Sequence, residues 1–362
     1  MERLGTIRKS VKRMLTSEEK KQYNRHLILE EIGEEGQLKL KQAKVLVVGA
    51  GGLGCPVLQY LTAAGVGTIG IIDNDLVDKS NLQRQILYTI DDVGFSKAER
   101  AAKRLSKLNP NINFTIYKEK LSNKNAISLF NKYDVVIDGS DNFATRYLTN
   151  DASLLTNTPL IYGAIFKFEG QVSVFNFKGS ATYRCLYPTP PNPADSPNCS
   201  EIGVLGVLPG IIGSLQANEA IKLICGIGDL LTNKLLLFNA LNMQQIVLNF
   251  KKDTTIKIVA LEKNYDFFCG IVPIKEISLE EVKKNSKKYN LLDVRVFSER
   301  EKFHIGGQHI PLADLPKRIN EIHQNKDLVV YCKSGFRSKK AINLLKEKYP
   351  NLELINLKGG CF

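Results

Sequence analysis

The chain lacks an uninterrupted apolar run of membrane-spanning length, which argues against a transmembrane protein. Its most apolar long segment, VLGVLPGIIGSLQANEAIKLICGIG, is broken by Pro209 and carries Gln216, Asn218, Glu219 and Lys222, so it reads as a buried helix. The N-terminal stretch MERLGTIRKSVKRML has no signal-peptide apolar core. An even cysteine framework is missing too: the seven cysteines, at 55, 185, 199, 225, 269, 332 and 361, are odd in number and irregularly spaced. Reduced thiols in a cytoplasm are the expectation. There is no internal repeat and no low-complexity tract. The net charge of +13 would suit a nucleic-acid partner if the basic residues clustered, but they are scattered, with no basic run interleaved with aromatics. The excess reads as a lysine-rich solvated surface whose field can steer an acidic protein substrate. Neither nucleic acid nor membrane is expected as a partner.

What is present is an ordinary globular composition, 43% apolar and 24% charged, in 362 residues. At roughly 150 residues per domain, that length holds one large domain and one small one. A helical arm over about 17–42 precedes a strand at Lys44 to Val48, a helix at Gly54 to Ala64 and a strand at Thr68 to Asp73. Alternation continues with a helix at Lys97 to Leu108, a strand at Asn113 to Tyr117, a helix near Asn125 to Asn131 and a strand over 135–141. The fold class that follows is α/β: a Rossmann-like, mainly parallel sheet. After Leu160 the texture changes, and VSVFNF and TTIKIVAL read as further strands, an antiparallel extension. Between them LYPTPPNPADSPNCSEIG carries five prolines between 188 and 197, which excludes helix and central strand and implies an exposed loop. A break at Gly270 to Pro273 divides the chain into domains at 1–270 and 274–362, the second a small α/β unit.

Gly49, Gly51 and Gly54 satisfy G-x-G-x-x-G between a strand and a helix, and Asp73 closes the next strand. Backbone amides and the helix dipole hold phosphate in such a turn, and the acid takes ribose hydroxyls. That much fits a nicotinamide dehydrogenase equally well. The residues that follow do not: Ser80, Asn81 and Arg84 in DNDLVDKSNLQRQ, Lys97 in GFSKAER and Asp141 in DGSDNFATR. Cations neutralise phosphoryl oxygens, and a carboxylate at a strand's C-terminal end can hold Mg²⁺, so the pattern points to a nucleoside triphosphate.

YNRHLILEEIGEEGQLKLKQAKVLVVGAGGLG, IIDNDLVDKSNLQRQILY, VGFSKAE, SDNFATR and NCSEIGVLGVLPGIIGSLQANEAIK together resemble the MoeB/ThiF/HesA family, bacterial relatives of ubiquitin-activating enzymes, over about 17–270. The resemblance implies adenylation of the C-terminal glycine of a ubiquitin-like sulfur carrier ending in Gly-Gly, the carboxylate attacking the α-phosphate of ATP. It also implies roles. Gly49, Gly51 and Gly52 would lie against the nucleotide, Asp73 would bind ribose, and Asn81, Arg84 and Lys97 would stabilise phosphate charge. Ser80, Leu82, Gln83 and Gln85 would stand nearby, Asp141 would hold Mg²⁺ with Asn142 beside it, and Arg25 would reach the γ-phosphate across a homodimer interface.

Cys199, in NCSEIG at the end of the proline-rich loop, is a candidate for attack on an acyl-adenylate or for sulfur exchange. Family members often carry two C-x-x-C pairs that bind zinc. Here Thr182 and Asp266 stand at two of the four positions and only Cys185 and Cys269 remain, a poor tetrahedral set, so no zinc is expected. Cys55 and Cys225 read as buried small hydrophobes.

In VVYCKSGFRSKKA, Cys332 follows an apolar strand and precedes a short loop and a helix near Arg337, so loop amides and the helix dipole converge on the sulfur and favour thiolate. With LLDVRVFSERE upstream and INLKGG downstream, the pattern resembles a rhodanese domain over about 274–360, in which Cys332 would carry a persulfide in a cradle from Cys332 to Arg337. IGGQHIPL is one residue shorter than the common form. Cys361 reads as packing or as a second thiol.

The two resemblances combine into an ATP-dependent adenylyltransferase with sulfurtransferase activity, serving molybdopterin or thiamine synthesis and supplied by a persulfide donor such as a cysteine desulfurase. The alternatives are a carrier-docking module whose rhodanese domain only senses or stores sulfur, and the dehydrogenase already weighed.

Overall fold

The structure is a computed structural model that describes residues 14–191, 203–269 and 274–361. The chain divides into two compact units, Met1–Gly270 and Ile271–Phe362.

The first unit is built on an eight-stranded sheet in the order β3-β2-β1-β4-β5-β6-β7-β8. Its strands are β1 (Lys44–Val48), β2 (Thr68–Ile72), β3 (Asn113–Tyr117), β4 (Val135–Asp138), β5 (Leu160–Phe166), β6 (Glu169–Phe175), β7 (Lys234–Asn239) and β8 (Gln244–Asn249). From β3 to β5 every pairing is parallel, and from β5 to β8 every pairing is antiparallel. The runs VLVV and VVID are continuously apolar up to their last residue because both faces of these strands are covered, and Val45, Leu46 and Val47 are fully buried. Helices α1 (Gly54–Ala64), α2 (Lys97–Leu108), α3 (Phe143–Thr156) and α4 (Leu208–Cys225) supply that cover. Each boundary has a local cause. Gly65 ends α1 at φ +87°, Ser96 caps α2, Asn142 caps α3 by accepting from the Thr145 N–H at 2.9 Å, and Gly226 ends α4 at φ +75°. Helix α4 crosses α1 closely: a Cβ on Gly213 would lie 2.5 Å from the Leu53 carbonyl oxygen.

Two sequence expectations change here. Pro209 does not break the apolar segment; it occupies the first turn of α4, where a missing N–H costs nothing. TTIKIVAL forms no strand, and the antiparallel extension is instead completed by β7 and β8. Alternation makes a segment strand-like, but a strand is held by the packing of its side chains, and here Val259 is left 88% exposed.

The second unit holds a five-stranded, wholly parallel sheet in the order β11-β10-β12-β13-β9. The strands are β9 (Lys275–Ile277), β10 (Tyr289–Asp293), β11 (Gln308–His309), β12 (Asp327–Tyr331) and β13 (Leu354–Leu357). Helix α5 (Phe336–Lys348) follows β12 after a four-residue loop. At the end of β10, Asp293 and Arg295 form a fully buried two-bond ion pair at 2.9 and 2.8 Å.

Candidate functional site

At the C-terminal ends of β1, β2 and β4, where the strand order reverses, the first unit opens a cavity of about 610 Å³. The glycine turn after β1 forms one wall, and its glycines are needed for different reasons. Gly49 has φ +89°, and a Cβ there would lie 3.0 Å from the Gly139 carbonyl oxygen. A Cβ on Gly54 would lie 2.0 Å from the Gly49 carbonyl oxygen, and one on Gly52 would lie 3.1 Å from Pro209. A Cβ on Gly51 would meet nothing closer than Gln85 Nε2 at 3.6 Å. Gly51 is therefore not required by its protein neighbours; the space beside it belongs to the cavity.

Asp73 follows β2. Its carboxylate accepts the N–H of Ala50 at 2.7 Å and of Asp75 at 2.8 Å, which ties the acid to the glycine turn. Burial pushes its carboxyl above the ordinary value against the pull of these hydrogen bonds. Lys97 starts α2, is 6% exposed, and binds Asp75 Oδ2 at 2.9 Å. Arg84 is half-buried and donates to the Ser80 carbonyl oxygen at 3.3 Å, with no carboxylate partner among the described residues. Asp141 is exposed on the opposite rim, between β4 and α3, beside Asn142. Two buried oxygens in the wall, Gln85 Oε1 and Ser140 Oγ, have no partner among the described residues.

Of the residues singled out in the sequence, Gly49, Gly51, Gly52, Asp73, Ser80, Gln83, Arg84, Gln85, Lys97, Asp141 and Asn142 line this one cavity. Asn81 does not line it; its side chain accepts from the Asp78 N–H at 3.4 Å. Leu82 does not either, because its side chain packs into the core beneath the turn. Arg25 is exposed on the short helix Asn24–Leu27 and lines no part of the cavity. Cys199 lies outside the described residues. Asp75, Glu119, Gly139, Ser140 and Thr145 line the cavity without having been singled out. Gly139 and Ser140 repeat, after β4, the glycine-after-apolar-strand signal already read after β1. Glu119 comes in from the end of β3 and leaves no local mark.

At the two remaining cysteine positions, the Cys185 sulfur accepts from the backbone N–H of Thr182 at 3.3 Å and of Asp253 at 3.4 Å. The Asp266 carboxylate is bound by Lys120 at 3.2 Å, and burial pushes the Cys269 thiol up to about 11. Between them a buried ion pair joins Arg184 to Asp151 through two bonds of 2.7 Å, and Tyr265 donates to the same carboxylate. Among the described residues no group of three or more His, Cys, Asp or Glu side chains is arranged to hold a metal ion.

In the second unit Cys332 follows the last residue of β12, and Gly335, at φ +85°, turns the chain into α5. Burial opposes ionisation of the Cys332 thiol. Hydrogen bonds from the Ser338 hydroxyl and from the N–H groups of Ser338, Ser334 and Gly335 outweigh it and hold the thiol below its ordinary range. Arg337 is held by Glu299 through two bonds, at 2.6 and 2.7 Å. Gly359 and Gly360 have positive φ and bring the end of the chain against the loop, where the Cys361 N–H donates to the Cys332 carbonyl oxygen at 3.0 Å. Burial raises the Cys361 thiol. Ser338 and Asn356, which complete the surroundings of the sulfur, were not read from the sequence.

A family model described as "ThiF family" matches residues 23–257, and one described as "Rhodanese-like domain" matches 278–362. The chain belongs to the ThiF family. This ThiF-family chain is 42% identical over 364 residues to a Mycobacterium tuberculosis protein named "Probable adenylyltransferase/sulfurtransferase MoeZ", covering 96% of the chain and 93% of the relative. Against the "Sulfur carrier protein adenylyltransferase" of Thermus thermophilus it is 48% identical over 267 residues, covering 71% of the chain and 98% of the relative. The crystal structure of E. coli MccB with ATP shares the fold, with a TM-score of 0.57 at 23% identity over 66% of this chain and 73% of that one. The α/β reading, the ThiF-type first domain and the rhodanese-type second domain therefore stand.

Proposed function

We propose that the chain adenylates the C-terminal glycine of a ubiquitin-like sulfur carrier ending in Gly-Gly and then loads it with sulfur carried as a persulfide on Cys332. The observation that carries the reading is the lining of the first cavity, where Arg84 and Lys97 stand with Asp141 around a turn whose Gly51 leaves room for a close ligand. A nicotinamide site has no use for those cations. The carrier's carboxylate oxygen attacks the α-phosphorus of ATP and pyrophosphate leaves, a step that needs positioning and charge stabilisation rather than a protein nucleophile. Arg84 and Lys97 neutralise the phosphoryl oxygens, with Lys97 exchanging its Asp75 partner for phosphate. Asp73, already fixed by the Ala50 N–H, offers its remaining lone pairs to ribose hydroxyls. Asp141 would hold Mg²⁺ brought with the nucleotide, and the ion would offset charge on the phosphates.

The terminal sulfur of the Cys332 persulfide then displaces AMP from the acyl-adenylate to give an acyl disulfide. A thiol cleaves the remaining S–S bond, ends as a disulfide with Cys332 and releases the carrier thiocarboxylate. Cys199 is a candidate for attack on the acyl-adenylate or for sulfur exchange with it. The persulfide comes from a donor such as a cysteine desulfurase. The chain works as a homodimer, in which Arg25, exposed and outside its own cavity, would serve the γ-phosphate of a second copy's nucleotide. The setting is cytoplasmic, and the product serves molybdopterin or thiamine synthesis. ATP–pyrophosphate exchange tests the first half: exchange that requires a Gly-Gly carrier and is indifferent to NAD supports it, whereas nicotinamide binding without exchange overturns it.

A further inference from the structure

Ser338 is fully buried, and its hydroxyl has two neighbours that could receive a hydrogen bond: Asn356 Oδ1 at 2.6 Å and Cys332 Sγ at 3.5 Å. A hydroxyl has one proton, so it can serve only one of them fully. Which one depends on the way the Asn356 amide faces. Asn356 is 1% exposed, and its Nδ2 donates to Glu276 Oε1 at 3.1 Å. An ionised carboxylate only accepts, so the amide nitrogen is committed to Glu276 and the amide oxygen to Ser338. Glu276 stands opposite Asn356 in the β13–β9 pairing, and Lys339 binds it at 2.8 Å. That lysine holds the Glu276 carboxyl below its ordinary range, so it is ionised at neutral pH. The helix that carries Ser338 also carries Lys339, so one turn of α5 touches the sulfur on its buried side and the relay's outer end on its exposed side.

We propose that Asn356 is a positioning residue for Cys332: while Glu276 holds its amide it draws the Ser338 proton away from the sulfur, and with Glu276 neutralised the amide turns over and Ser338 donates to the sulfur. The inference rests on the sulfur-carrying role of Cys332. In the first arrangement the Ser338 hydroxyl, 2.6 Å from Asn356 Oδ1 and 3.5 Å from Sγ, gives the sulfur only a long contact, and a charge on Sγ is steadied mainly by the backbone N–H groups of Ser334, Gly335 and Ser338 and by Arg337. In the second the thiolate gains a charge-assisted hydrogen bond. The difference bears on sulfur release. When cyanide takes the terminal sulfur of the persulfide as thiocyanate, the electron pair of the broken S–S bond stays on Sγ, and a donor at Sγ stabilises it. The other charged groups near the sulfur are Arg337, paired with Glu299, and the Arg295–Asp293 pair that reaches it by way of Cys361.

The test is the pH dependence of iodoacetamide alkylation of the full chain, read by mass on the Cys332 peptide because the chain has seven cysteines. Glu276 is at the surface, and Glu276→Gln keeps its shape while allowing it to donate to a turned Asn356. The alkylation midpoint should fall by about one pH unit, which is about tenfold faster reaction below the midpoint. Loss of a negative charge would lower the midpoint by itself, so the same substitution is made in a Ser338→Ala background, where the shift should shrink to that smaller through-space part. Asn356→Leu, which removes the competing acceptor, should lower the midpoint as well. An unchanged midpoint in Glu276→Gln, or a shift of the same size in the Ser338→Ala background, would overturn the proposal. Alkylation needs no turnover, so failure to make thiocyanate would count against the sulfur-transfer reading alone.

Discussion

Replacing each of two neighbouring glycines by alanine should separate folding from nucleotide binding. In Gly54→Ala the new methyl would lie 2.0 Å from the Gly49 carbonyl oxygen and 2.9 Å from its carbon, so the end of β1 and the start of α1 must move apart. Overpacking of that kind costs about 1–3 kcal/mol and sometimes more. The upper figure would lower the melting temperature of the first unit by roughly 6–12 °C. In Gly51→Ala the nearest neighbour is a side-chain nitrogen at 3.6 Å, and the backbone is not in the left-handed region. Stability should stay level or rise by about 0.4–1 kcal/mol, because alanine restricts the unfolded chain. The same methyl would hold a phosphate off the turn's amides. A hydrogen bond to a charged group is worth about 1.5–3 kcal/mol, so ATP affinity should fall roughly 10- to 150-fold. Thermal melts and isothermal titration with ATP on both variants measure the contrast. If Gly51→Ala binds ATP as the parent does, or melts as early as Gly54→Ala, the assignment of Gly51 to the ligand is wrong.

Lys97→Ala and Arg84→Ala should each slow ATP–pyrophosphate exchange by about 10²- to 10³-fold, and Asp141→Ala should abolish it; retained exchange in the last would remove its magnesium role. Cys332→Ser should make no thiocyanate from thiosulfate and cyanide while exchange proceeds at the parent rate, and surviving thiocyanate production would move the sulfur site elsewhere. For Asp293, burial is outweighed by hydrogen bonds from Arg295, so its carboxyl lies below the ordinary range. A group with a lowered native value adds stability that is fully present above its unfolded value of about 3.9 and is lost as pH falls through the native value. Urea melts of the second unit should therefore weaken only below about pH 4, and Asp293→Asn should flatten that acid limb.

What the sequence made legible was local. The glycine turn, the start of α1 at Gly54, the apolar strands around it and the loop after Cys332 are each written within about a dozen consecutive residues, where period and turn chemistry act directly. What escaped was set by pairing at a distance. Asn356 reaches Ser338 only because β13 lies beside β12, and Glu276 reaches Asn356 across 80 residues through the β13–β9 register. TTIKIVAL alternates like a strand, yet a strand also needs something to pack its apolar face against, and Val259 finds nothing. Leu82 sits within the SNLQRQ run, but its side chain turns into the core, a choice made by the packing under the turn. The acid and cation pattern from Asp73 to Asp141 named a triphosphate site, yet it could not foretell that Lys97 would already be held by Asp75.

The most direct measurement is the mass of a Gly-Gly carrier after incubation with the purified chain, ATP, Mg²⁺ and a sulfane sulfur source. The carrier should first gain one AMP and then, when Cys332 is intact, be converted to the thiocarboxylate. A carrier whose mass never changes in the presence of ATP, from either the molybdopterin or the thiamine pathway, would contradict the adenylation on which the rest depends.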